Sequence, residues 1–91
     1  MDSERLEREL AERYDASEEV CHIVSRQARD LDDSGLFADD IGSPLTVEVV
    51  IDNLDDAPEQ YTLPERWNWW LDALELSHGG YDRFHVRSDV V

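Results

Sequence analysis

Acidic side chains at ordered spacing are the first residues in this chain whose types could do chemistry. The run Asp30-Leu31-Asp32-Asp33-Ser34-Gly35-Leu36-Phe37 places acids at positions 1 and 3, a hydroxyl at 5, glycine at 6 and an apolar residue at 8. That is the first half of a twelve-residue calcium loop, in which hard oxygen ligands alternate along a turn that glycine sharpens. The second half departs from the pattern. Ile41 stands where a bidentate glutamate should close the coordination sphere, and Asp39 and Asp40 come too early. Asp30, Asp32 and Ser34 are therefore the candidate cation ligands, set against the plain alternative of a helix end followed by a solvated turn.

Other chemistry is thinner. Cys21 and the histidines 22, 78 and 85 are the soft and borderline metal ligands. Adjacent helical residues diverge by about 100°, so Cys21 and His22 cannot share a site, and Cys21 reads as a small core hydrophobe. His78 suits the carbonyls at a helix end. No serine sits in a nucleophile elbow, and glycines 35, 42, 79 and 80 make no phosphate loop. No cofactor is expected, and no constellation supports an enzyme.

Near the C-terminus, Tyr81-Asp82-Arg83-Phe84-His85-Val86-Arg87 alternates as an extended segment does, with Phe84 and Val86 inward. Arg83, His85 and Arg87 would then form a positive row able to hold an anion, a partner, or the acidic surface of its own chain.

These residues must be positioned by helices. Leu6, Leu10 and Tyr14 recur every four residues over 3–14. Val20, Ile23, Val24 and Leu31 mark a second helix up to about residue 31, with Asp15 and Glu18 as a capping pair; Asp32-Asp33-Ser34-Gly35 stops it. Residues 46–54 fit both periods. Val47, Val49 and Ile51 alternate, whereas Val47, Val50, Ile51 and Leu54 share a helical face. Thr46 as a cap and Pro58 beyond the end favour a helix.

A fourth helix is the plainest, with Thr62 and Glu65 as a capping box, Pro64 in the first turn, Leu63, Trp67, Trp70, Leu71 and Leu74 on one face, and Gly79-Gly80 as its stop. Trp69 projects from the other side, toward Leu76. Either the C-terminal segment covers this second face through Tyr81, Phe84 or Val86, or a protein partner or second copy does.

The fold expected is mainly α: one compact domain over 1–91, of about four helices with a short extended C-terminal segment. Its core would be Leu6, Leu10, Val20, Ile23, Val24, Leu31, Trp67, Trp70, Leu71 and Leu74. The alternative is an α+β arrangement with residues 46–52 as a strand.

Charge narrows the function classes. The 91 residues carry 23 acids against 8 basic residues, a formal charge of -15, and every basic residue is arginine. Such a surface repels nucleic acid, so nucleic-acid binding is disfavoured; an acidic mimic of a nucleic-acid backbone is one explanation of it. The other is adaptation to concentrated salt, where a Debye length of about 3 Å at 1 M screens the self-repulsion. The charge is uneven. Residues 1–60 hold 18 acids against 5 Arg, a net of -13, and residues 61–91 hold 5 acids against 3 Arg, a net of -2. One cysteine excludes an internal disulfide, and no apolar run approaches the ~20 residues that span a bilayer. The expectation is a cytoplasmic protein with no membrane partner.

Arg66-Trp67-Asn68-Trp69-Trp70-Leu71, followed by Leu74-Glu75-Leu76 and Gly79-Gly80-Tyr81, resembles a signature of small uncharacterised proteins of halophilic archaea. The resemblance covers about a quarter of the chain. It implies a cytosol rich in salt, whose cations would solvate the acidic surface, and it brings neither an activity nor site residues. With it, the expected function is a non-enzymatic interaction or regulatory module, with Trp69, Leu76, Arg83, His85 and Arg87 as contact surface. A small-ligand or calcium-like cation-binding protein is the alternative.

Overall fold

A computed structural model describes residues 1–87. The described residues form five α-helices: α1 (Ser3–Tyr14), α2 (Glu18–Ser34), α3 (Leu36–Ile41), α4 (Val47–Asp55) and α5 (Leu63–His78). A 3-10 turn, Asp82–Phe84, follows. No described residue is in a strand, so the α+β alternative is overturned: residues 46–52 are a cap and a helix.

Four of the five helices, all but α3, begin where a short polar side chain takes an orphan N–H. Asp2 caps α1, Thr46 accepts from the Val49 N–H at the start of α4, and Thr62 and Glu65 make the reciprocal capping box of α5. At α2 the cap is Ser17, which accepts from the Val20 N–H. Asp15 instead ends α1 in the left-handed region, at φ 51°. The expected Asp15–Glu18 capping pair is therefore overturned, since Asp15 sits at the exit of α1 and Ser17 immediately precedes α2.

Five helices replace the expected four because Gly35, at φ 74°, both ends α2 and opens α3. Gly35 donates to Asp32 O, and its own carbonyl accepts from the Asp39 N–H. Only a residue without Cβ holds that φ cheaply. Consequently α2 continues through Asp32, Asp33 and Ser34, and Leu36-Phe37-Ala38 is helical.

Leu6 and Leu10 of α1 meet Val20, Cys21, Val24, Ala28 and Leu31 of α2 in the core. Val47, Val50, Ile51 and Leu54 bring α4 to it, so the helical face of that ambiguous segment is the buried one. Trp70 stands edge-on to both Phe37, at 5.9 Å, and Trp67, at 5.6 Å, which suits the ring quadrupoles. Ile23, expected in the core, is only partly buried at its edge. Tyr81, Phe84 and Val86 close the core from beyond α5. Ion pairs of Arg5 with Glu48 and of Arg13 with Asp55, at 3.1 Å, join α1 to α4 on the exposed side.

Candidate functional site

Helix α5 organises everything downstream of it. Arg66 directs its guanidinium to three backbone carbonyls, Tyr61 O at 3.1 Å, Leu54 O at 2.9 Å and Glu59 O at 3.2 Å, and lies over the Tyr14 ring. It thereby ties the end of α4 and the connecting loop to α5. The planar five-donor fork of arginine allows three such bonds from one side chain.

The next two residues hold the C-terminal segment. Trp67 Nε1 donates to Phe84 O at 2.9 Å. Asn68 donates to Val86 O at 2.7 Å and accepts from the Val86 N–H at 2.9 Å, as a neighbouring strand would. These three bonds bracket His85.

The reversal between α5 and this segment is built on Glu75. Its carboxylate accepts from the N–H groups of Gly80 at 3.2 Å, Tyr81 at 2.8 Å and Asp82 at 3.0 Å. Those donors, the Tyr81 N–H first, hold the Glu75 carboxyl below its ordinary value. Gly79 and Gly80 make the approach feasible at φ 80° and 91°. Tyr81 is fully buried and its hydroxyl donates to Asp40 at 3.0 Å. Burial, and then the Asp40 carboxylate, push the phenol up to about 12.

The segment is not extended throughout. Asp82–Phe84 is a 3-10 turn, and extended backbone starts only at His85, with φ -61° and ψ 151°. Phe84 and Val86 are buried as alternation required. The row of Arg83, His85 and Arg87 fails, because Arg83 lies in the turn with its guanidinium 4.8 Å from the centre of the Phe84 ring. Arg87 borders the crevice of Ile23, Pro64 and Val86. His85 faces acids: its Nε2 lies 2.8 Å from Asp72 Oδ1, and its Nδ1 lies 3.7 Å from Asp82 Oδ1.

The other singled-out residues fall apart spatially or are engaged. Asp30, Asp32 and Ser34 occupy the last two turns of α2, not a loop. Asp32 takes the amino group of Met1 at 3.0 Å. The Ser34 hydroxyl donates to Leu31 O and accepts from the Leu36 N–H, closing the helix end. His22 pairs with Glu7 at 2.9 Å. Cys21 is buried, and burial followed by the nearby Glu7 raises its thiol above the ordinary value.

Trp69 and Leu76 do share the outer face of α5. Trp69 is partly buried against the core, with Tyr61, Glu65, Asn68 and Asp72 around it, whereas Leu76 is 90% exposed. Among the described residues, the C-terminal segment is bonded to Trp67 through Phe84 O and to Asn68 through Val86.

Asp72 and Asp82 were not singled out from sequence. In so acidic a chain single acids carry no signal, and what brings these two to His85 is the Gly-Gly reversal that returns the chain along α5.

Fold and site together define a small, mainly helical domain whose last long helix carries an Arg-Trp-Asn-Trp-Trp run that fastens the chain on both sides of it. The WNWW domain family matches residues 1–75, and the chain belongs to that family. No curated protein and no solved structure matches it. The tryptophan run lies within the matched residues, whereas Phe84 and Val86, which receive its bonds, lie beyond them. No described helix is long and apolar enough to cross a membrane.

Proposed function

We propose that this domain is a non-enzymatic protein-interaction module, adapted to concentrated salt in the cytosol of a salt-loving cell, that docks a partner on the outer face of α5. Leu76 carries the reading, as a large aliphatic side chain left 90% exposed. It stands seven residues from Trp69 with exposed Ala73 between them, so the three make one apolar stripe at helical spacing. Tryptophan is among the residue types around which interface energy concentrates.

Charge selects the occupant. A second copy would bring another -15 to the contact, whereas a segment with an apolar centre and flanking Arg or Lys would be attracted. The test is affinity capture with the purified domain in molar KCl, followed by quantitative binding of the partner to wild type, Leu76→Glu and Trp69→Ala. Leu76→Glu should weaken binding at least tenfold while moving stability by no more than about 0.5 kcal/mol, as is usual for an exposed site. Binding indifferent to both substitutions would remove α5 as the contact, and self-association that Leu76→Glu abolishes would replace the basic partner by a second copy.

A further inference from the structure

Asp72 on α5, with Asp82 and His85 beyond it, brings three metal-ligating side chains to one point. One ligand atom from each lies within 4.8 Å of the other two. His85 Nε2 is shut off from water and makes no hydrogen bond, although Asp72 Oδ1 is only 2.8 Å away. The contact has the distance of a hydrogen bond without its geometry, and a buried imidazole nitrogen is costly to leave unsatisfied.

An ion bridging the two atoms would resolve this. At about 2.1 Å from each, it would see the 2.8 Å pair at about 84°, close to the ~90° between neighbouring octahedral ligands and well below the ~109° of a tetrahedron. Asp72 and Asp82 side chains are 65% and 76% exposed, which leaves room for water to complete the sphere.

We propose that Asp72, Asp82 and His85 bind one divalent first-row transition-metal ion in an octahedral sphere completed by water. The imidazole separates this site from the general acidity of the surface, because an N/O ligand set favours Ni²⁺ or Zn²⁺ over Mg²⁺, Ca²⁺ or K⁺. The ligands are held in advance. Trp67 and Asn68 fix the backbone on either side of His85, and Glu75 holds the Asp82 N–H. A bound ion would fasten the segment 82–85 directly to α5.

The experiment uses the full chain in molar KCl at neutral pH, with Ni²⁺ as probe, read by calorimetry and by paramagnetic broadening of backbone amide signals. One saturable site is expected, with broadening centred on residues 72 and 82–86 and affinity at least tenfold above that for Mg²⁺ or Ca²⁺. His85→Asn and Asp72→Asn should each weaken it tenfold or more, while His22→Asn and His78→Asn leave it unchanged. If His85→Asn loosens the fold, Asp72→Asn, a change on an exposed helix surface, decides alone. Equal affinity for Mg²⁺, broadening spread over the acidic surface or centred on His22 or His78, or unchanged binding by Asp72→Asn would overturn the site.

Discussion

Asn68 offers the sharpest check on how the tryptophan run works. Its amide makes two bonds to one residue, donating to Val86 O at 2.7 Å and accepting from the Val86 N–H at 2.9 Å. Val86 is only 8% exposed, so water cannot readily take over either group. Each such bond contributes about 1 kcal/mol net, and an orphaned buried backbone group costs about 1–3 kcal/mol. Local release of the segment limits the loss, which places Asn68→Ala at about 2–4 kcal/mol. For a domain of this size that is a fall of roughly 10–25 °C in Tm. Asn68→Asp keeps the acceptor for the Val86 N–H but turns a carboxylate toward Val86 O. It should cost at least as much as alanine at neutral pH and recover part of the loss below about pH 4, where the protonated oxygen can donate. Denaturant unfolding in molar KCl, with hydrogen exchange at Val86, measures both. A loss below about 0.5 kcal/mol for Asn68→Ala, with Val86 exchange unchanged, would refute the clamp.

Two further outcomes follow from the charges. Glu75 is held below its ordinary 4.5 by three backbone N–H groups, so its ionised form stabilises the fold above that value. The stabilisation is lost as pH falls from about 4.5 through the lowered folded value; Glu75→Gln should therefore be less stable at neutral pH and show a shallower acid limb, measured by unfolding across that window, and an unchanged limb would assign the slope elsewhere. Salt should act in the opposite sense to its effect on ordinary surface pairs. A charge of -15 on a sphere of roughly 15 Å radius costs a few kcal/mol more, relative to the expanded chain, at ~0.1 M than at ~1 M salt. Thermal melts along a KCl series should rise in Tm, and a flat series would show that the acids are not tuned to brine.

Local chemistry made most helices readable. The capping box at Thr62 and Glu65 and the stripe of Leu63, Trp67, Trp70, Leu71 and Leu74 are short-range features, and α5 follows them closely. The α4 segment was ambiguous because valine serves a strand as well as a helix; the Thr46 cap and the burial of Val50 and Leu54 settle it. Asp32-Asp33-Ser34 has the composition of a loop, but those residues stay helical until a glycine at positive φ allows the exit. The acidic spacing there imitates a calcium loop only while the backbone is unknown. Arg83, His85 and Arg87 show the same limit. Period-2 alternation found the buried Phe84 and Val86, yet it could not anticipate a carboxylate at position 75 gathering three consecutive N–H groups and bending the chain into a 3-10 turn. The Asp72, Asp82 and His85 cluster is a product of that bend, so nothing in the spacing announces it.

The division of labour within the run bears on where a partner can act. Arg66, Trp67, Asn68 and Trp70 all point their bonding or packing inward, toward a loop, the C-terminal segment or Phe37. Trp69 is the member that these tasks leave over, and it shares its face with Leu76. This face lies in the less acidic part of the chain, since residues 61–91 sum to -2 against -13 for residues 1–60. A divalent ion held by Asp72, Asp82 and His85 would bring that part to zero, one turn of α5 from both Trp69 and Leu76. With the ion bound, the apolar contact proposed for Trp69 and Leu76 would sit beside a neutral patch, and attraction of a partner's flanking Arg or Lys would come from the acidic remainder of the surface. The two proposals thus meet on one helix, with the ion as the more easily measured half.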